Sequence, residues 1–165
     1  MRNGLLVDTS ALIAYATSAS PLHENVAAYI AQAIHDGIPL HISSLVVAEF
    51  SCRQSIADLD LRTFILDSFD IPEAVLSGKL DAAIARDPDD SRVQHKVDVM
   101  LIAHAHKLGL AGVLTADRDT LAKYCDRLRD LHLVEIHPLL VSDPYDPIRV
   151  TNPAHRSLDF SQDRH

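Results

Sequence analysis

Leu5-Leu6-Val7-Asp8-Thr9-Ser10-Ala11-Leu12-Ile13 is the stretch from which the rest of the chain is read. An apolar run that breaks at Asp-Thr-Ser and then resumes apolar is a buried strand, a turn and the opening of a helix. Asp8 therefore stands at a β-to-α step. In open α/β sheets ligands bind beyond the carboxyl ends of the strands, so in a parallel sheet an acid here lies on the functional edge. Asp8 and Thr9 are also residue types that cap helices, and taken alone either is explained by that role.

Beyond this stretch the pattern alternates. A first helix is expected through Leu12, Ile13 and Ala16 to about Ser18, stopped by Pro21. The stripe Val26, Ile30, Ala33 and Ile34 predicts a helix over Pro21 to His35, ended by Asp36-Gly37. Ile38 to Ile42 reads as a strand, Leu45 to about Ile56 as a helix, and Asp58 to Asp70 as a short helix with a brief strand at Phe69 to Ile71. Helices follow at about Glu73 to Ala85 and Lys96 to Leu108, separated by the loop Asp87-Pro88-Asp89-Asp90-Ser91. Ala111 to Thr115 is a strand, Thr120 to Leu128 a helix and Leu131 to Ile136 a last strand. Strands alternating with helices mean an α/β fold in three layers, with a central parallel sheet between two helical ones. The domain is expected over residues 1–141. From Ser142 to His165 Pro144, Pro147 and Pro153 punctuate an aperiodic polar run, read as an extended arm or disordered tail.

Length and composition bound the function. The chain has 165 residues, close to the usual prior of about 150 for one domain. With 47% apolar residues it is globular and not disordered. No apolar run is long enough to span a bilayer, and no secretion signal precedes Leu5, so a cytoplasmic protein is expected. Cys52 and Cys125 lack metal-ligand spacing and read as small buried hydrophobes. The net charge of −8 excludes binding nucleic acid through a broad basic surface. Any phosphate substrate would need divalent cations as intermediaries.

Acids recur in matching places. Glu49 lies in Leu45-Val46-Val47-Ala48-Glu49-Phe50, a helical segment with scarcely another polar group, where an unpaired carboxylate is costly. An ion pair with Arg53, four residues on, is the structural alternative. Asp98 opens the expected helix at Lys96, where the dipole alone would favour it. Asp117 follows the strand ending at Thr115 as Asp8 follows Val7, and Asp119 is placed to cap the next helix. In a parallel sheet Asp8, Glu49, Asp98 and Asp117 converge on one edge. Carboxylates packed together either rise in pKa or share a cation, and hard ions such as Mg²⁺ or Mn²⁺ prefer all-oxygen ligands. Ser10 and Thr115 offer hydroxyls to orient them. Such a centre suits phosphodiester hydrolysis, in which metals activate water and steady the leaving oxygen. The histidines lack ligand spacing, since His104 and His106 lie two apart on a helix. Arg53, Lys96, Arg118 and Lys123 are either phosphate contacts or ordinary solvated charges.

These stretches resemble the PIN-domain ribonucleases, above all the small toxins of VapBC-type toxin–antitoxin pairs. Leu6 to Leu12, Ser43 to Phe50, Asp98 to Ala105 and Leu114 to Asp119 carry the likeness, in order, over Leu5 to Ile136. The resemblance implies a PIN-like fold, with Asp8, Glu49, Asp98 and Asp117 binding Mg²⁺ or Mn²⁺ for cleavage of single-stranded RNA and Asp119 assisting. It further implies a homodimer, held inactive by an antitoxin. Val46 departs from the family, many members of which have a hydroxyl residue there, and the run after Ser142 has no counterpart in the short toxins. Two other functions stay open: a non-cleaving binding module of the same fold, and a phosphotransfer enzyme with Asp8 as nucleophile. The second Asp that such phosphatases usually carry two positions on is here Ser10.

Overall fold

The computed structural model describes residues 3–156. Five parallel strands form one sheet in the order β3-β2-β1-β4-β5: β1 (Leu5–Val7), β2 (Leu40–Ser43), β3 (Ile65–Asp67), β4 (Gly112–Thr115) and β5 (His137–Leu140). α1 (Thr9–Ala16) and α2 (His23–His35) join β1 to β2, and α3 (Ser44–Ser51) follows β2. α4 (Ile71–Ala83) and α5 (Arg92–Lys107) carry the chain from β3 to β4, and α6 (Lys123–Asp130) leads to β5. A short α7 (Ile148–Thr151) lies in the arm. From β1 the chain builds outward through β2 to β3, then returns to add β4 on the other side of β1. Right-handed crossovers in opposite directions place α1 to α3 on one face and α4 to α6 on the other. The observed packing, α1 on α2 and α3, α5 on α4 and α6, follows that division. The three-layer expectation holds, and the point where strand order reverses lies between β1 and β4.

Burial explains the strand sequences. Leu5, Leu6 and Val7 are fully buried, as are Val113 and Leu114 beside them, which is the unbroken apolar run that a strand covered on both faces needs. Gly112 stands where β4 meets β5 closely: a Cβ there would lie 2.8 Å from the His137 carbonyl oxygen and 2.9 Å from Leu139 Cδ1. No helix among the described residues is long and apolar enough to cross a membrane.

Several boundaries differ from the sequence reading. The expected helix over Asp58 to Asp70 is two single 3₁₀ turns, Ile56–Asp58 and Leu61–Thr63, followed by β3. Ile65 and Leu66 are about half exposed on this edge strand, so their apolar character marks no helical stripe. Asp70 and Ile71, read as strand, instead begin α4, with the Asp70 N–H donating to Glu73 Oε2 at 3.2 Å. α3 ends at Ser51, short of Ile56, and α5 starts at Arg92, four residues before Lys96. The last strand is His137–Leu140 rather than Leu131 to Ile136. Residues 131–133 terminate α6 instead: His132 takes a φ of 58°, and Leu133 N donates to Leu128 O at 3.0 Å. Pro138 is tolerated in β5 because an edge strand has one side free of ladder bonds. Cys125 is buried as expected, whereas Cys52 is exposed at the end of α3.

The loop over Asp87 to Ser91 is an anchored connection. Arg127 and Lys123 hold Asp87 at 2.7 and 2.9 Å, Lys123 holds Asp90 at 2.7 Å, and Tyr124 donates to Asp90 as well. Residues 142–156 run as an arm against the domain, and 157–165 lie outside the described residues. Asn25 Nδ2 donates to the carbonyls of Val141 and Asp143 at 2.5 and 2.8 Å, Tyr145 packs edge-on to Tyr29, and Val150 is buried.

Gly112→Ala is expected to force β4 and β5 apart and to cost on the order of 1–3 kcal/mol in urea unfolding, the usual penalty for overpacking a closed space. An unchanged midpoint would show that the two strands can separate freely.

Candidate functional site

The strands place the first two acids. β1 and β4 are parallel neighbours with Val7 opposite Leu114, and the Asp8 N–H continues the ladder to Leu114 O at 3.0 Å. Both chains leave the sheet at this height, so Asp8 and Asp117 emerge side by side at the carboxyl edge, at the switch point of strand order. Asp8 is 6% exposed, and its Oδ2 accepts from Ser10 Oγ at 2.6 Å and Thr115 Oγ1 at 2.8 Å. Ser10 Oγ in turn accepts from the Ala116 N–H, and Thr115 Oγ1 from the Asp117 N–H, each at 2.9 Å. Burial pushes the Asp8 carboxyl above its ordinary range against these hydrogen bonds, and the charge of Asp117 adds to the rise. Asp8 occupies the cap position of α1 without a side-chain capping bond, so the capping explanation fails for it.

Asp117 is the residue that caps. Its Oδ1 accepts from Thr120 N at 2.8 Å and its Oδ2 from Thr120 Oγ1 at 2.5 Å, opening a π-type turn over Arg118–Ala122 that feeds α6. The cap expected at Asp119 is thus displaced by two residues, and Asp119 is exposed.

Asp98 lies in the second turn of α5, because Ser91 and not a later residue caps that helix. The dipole at a helix start therefore does not explain it. It is 1% exposed, and its Oδ1 accepts from Gln94 Nε2 at 2.8 Å, one turn earlier. Thr120 stands beside it, but the single hydroxyl proton of Thr120 goes to Asp117, which leaves Asp98 Oδ2 buried with no partner. Burial above all, with the charges of Asp117 and Asp8, pushes the Asp98 carboxyl up to about 7. Three aspartates from three elements thus lie within one another's field.

Glu49 joins from α3. Its Oε2 accepts from Thr9 Oγ1 at 2.6 Å, and Thr9 is the residue after Asp8. The helix ends before Arg53 can sit one turn beyond Glu49, so this contact stands in place of the alternative intrahelical ion pair. Among the described residues no three His, Cys, Asp or Glu stand close enough together to enclose a metal ion. The set fits a hard divalent cation in kind: its donors are carboxylate oxygens, and Asp98 Oδ2 is a buried acceptor without a donor. Of the basic residues, Lys123 is taken up by Asp87 and Asp90, and Arg118 pairs with Asp143. His104 is buried and bonded through Nδ1 to Ser43 Oγ at 2.9 Å.

Gln94 and Thr120 are not singled out by the sequence, and Thr9 is read there only as a cap. Gln94 has a legible signal, a Gln one turn before an Asp on one helix face. Thr120 has another, a hydroxyl three residues after a capping Asp.

Fold and site together define an α/β protein with buried carboxyls gathered at the switch point of a parallel sheet. The PIN domain family model matches residues 5–127, and the chain belongs to that family. Among solved structures it is similar to a chain of the DNA-bound VapBC complex from Salmonella typhimurium, at 20% identity and a TM-score of 0.52, covering 84% of this chain and 98% of that one. It is likewise similar to a chain of VapBC2 from Rickettsia felis bound to a DNA fragment from their promoter, at 13% identity and a TM-score of 0.52, with 82% and 98% covered. At these identities the likeness is one of fold. No curated protein matches the chain.

The raised carboxyl of Asp98 has a consequence for stability. A folded-state value of about 7 lies above the unfolded value of about 3.9, so the stability tied to the protonated acid is complete below the unfolded value. It is lost as pH rises through 7. In EDTA at pH 8 the Asp98→Asn variant is therefore expected to be more stable than the parent, by on the order of 1–3 kcal/mol in denaturant unfolding, with the gain vanishing near pH 4. A variant that is less stable at pH 8 would contradict the burial of this charge.

Proposed function

We propose that the chain is an endoribonuclease that cuts single-stranded RNA with Mg²⁺ or Mn²⁺, and the toxin of a type II toxin–antitoxin pair. The observation that carries this reading is Asp98 Oδ2, an orphaned acceptor buried beside two further aspartates. Uncompensated carboxyls in one place cost stability and give the fold nothing in return. That cost is characteristic of sites kept for chemistry.

In this reading Asp8, Glu49, Asp98 and Asp117 hold the cation, with Asp119, exposed on the turn, as an auxiliary. The cation, when bound, lowers the pKa of water and steadies the charge on the phosphodiester. The chain's own hydroxyls do the positioning. Ser10 and Thr115 fix Asp8, Thr9 fixes Glu49, Thr120 fixes Asp117, and Gln94 fixes one oxygen of Asp98. Each acid thereby has at least one oxygen tied by a neutral donor that leaves its charge in place. With a net charge of −8, the protein would meet an anionic backbone chiefly through such a cation.

The partner assignment follows the fold neighbours, which are chains of VapBC assemblies. On that likeness we assign a cognate antitoxin; the homodimer follows the family resemblance and the cytoplasmic setting follows the sequence, with residues 1–141 as the nuclease domain. The absence of any three potential ligands at metal-holding distance among the described residues favours one other reading, a PIN-fold binding module that acts without cleavage.

Purified protein with Mn²⁺ is expected to cut single-stranded RNA, with EDTA abolishing the activity and Asp8→Asn or Asp98→Asn lowering it by at least about a hundredfold. Equal activity in parent and variants would reject the mechanism. No cleavage and no calorimetric binding of divalent ions, with a tight protein complex still formed, would establish the binding module.

A further inference from the structure

At the β5 edge of the sheet the arm closes a cavity of about 310 Å³ against α6 and β5. Three guanidiniums, Arg129, Arg149 and Arg156, line it with two imidazoles, His137 and His155, against a single carboxylate, Asp126. Just outside the lining, Asp146 is bonded to His155 Nδ1 at 2.9 Å and Asp143 pairs with Arg118, so the charge of Asp146 is offset when His155 is protonated and the cavity then keeps an excess of two positive charges, in a chain whose net charge is −8. Concave walls of low dielectric concentrate such a field.

Two of the cations are held in place. Arg129 pairs with Asp126 at 2.7 Å and donates to His137 Nδ1 at 3.3 Å. Arg149, with its side chain 17% exposed, donates to Pro138 O at 2.7 Å, and its Nη1 lies 4.0 Å from Asp143. Its Nε–H is buried without an acceptor. His137 is pushed below its ordinary range by burial and then by the charge of Arg129, with Asp126 opposing and Arg149 and Arg156 adding to the fall, so all three cations bear on one imidazole. The bond from Arg149 to Pro138 ties the arm to the sheet edge. That role accounts for neither the unpartnered Nε–H nor the presence of Arg129 and Arg156.

We infer that this cavity is an anion site that takes a phosphate monoester dianion. Guanidinium forks match phosphate oxygens in geometry, and the excess of two charges matches a terminal phosphate, where an internal phosphodiester carries only one. The volume lies at the small end of ligand pockets, suited to a phosphate with a modest substituent. The phosphate is either free or carried by a nucleotide. The inference is independent of the nuclease reading, since none of the proposed metal ligands lines the cavity.

The test uses the full chain in EDTA, so that no cation can bridge phosphate to the acidic edge. Inorganic phosphate, a nucleoside 5′-monophosphate, the bare nucleoside and sodium chloride at matched ionic strength are titrated by calorimetry, while the His137 imidazole is followed by NMR. Saturable binding of both phosphate probes is expected, with a His137 shift that neither the nucleoside nor the salt produces. Tighter binding of the nucleotide assigns it as the source; equal binding assigns free phosphate. Arg156→Ala and Arg129→Gln are each expected to weaken binding by at least about tenfold, and Lys79→Ala, on α4, to leave it unchanged. Arg156 is exposed, so its variant keeps the test open should Arg129→Gln fold poorly. No saturation up to about 10 mM phosphate, no response at His137, or equal binding in Arg156→Ala would overturn the inference.

Discussion

Two adjacent parallel strands that leave the sheet at the same height impose the main constraint on this molecule. Val7 opposite Leu114 sets Asp8 next to the turn that carries Asp117, and α5 brings Asp98 within the field of both. Burying a carboxylate costs several kilocalories unless partners compensate. Here compensation is partial. Asp8 has two hydroxyl donors and still titrates above the ordinary range, and Asp98 has one amide donor for two oxygens.

The compensating groups are neutral throughout. Ser10, Thr115, Thr9, Thr120 and Gln94 orient the acids without cancelling their charge, where a lysine or arginine would have done both. The molecule has such cations close by in sequence, and they are engaged elsewhere. Lys123 and Arg127 clamp the loop before α5, and Arg118 ties the arm through Asp143. Charge is thus neutralised around the switch point and left unneutralised within it. At the far edge the arm creates the opposite imbalance, with guanidiniums outnumbering the one carboxylate that lines their cavity.

Much of this was legible in the sequence because it follows from chain periodicity. An apolar run followed by Asp, directly at Asp8 and two residues after Thr115 at Asp117, marks two adjacent strands and the acids beyond their ends, and Glu49 stands out as the only charged residue of Leu45 to Phe50. What was not legible depends on tertiary context. β5 is missed because Pro138 argues against a strand until the strand is known to be an edge, and because the apolar Leu131 and Leu133 are spent on ending α6. β3 is missed because its exposed Ile65 and Leu66 imitate a helical stripe. The cap expected at Asp119 falls to Asp117, since a cap depends on which residue the turn starts from, and a π-type turn moves that start by two. Burial of Asp98 is likewise a property of the packed helices, and local sequence suggested only a favourable dipole.

The central claim is that the aspartates at the switch point exist to share a cation. An anomalous difference map from crystals soaked in Mn²⁺ tests it most directly. The account predicts a peak bounded by Asp8, Asp98 and Asp117, with Asp98 Oδ2 among the nearest atoms. A map with no peak at that edge, while manganese binds elsewhere on the protein, would contradict it.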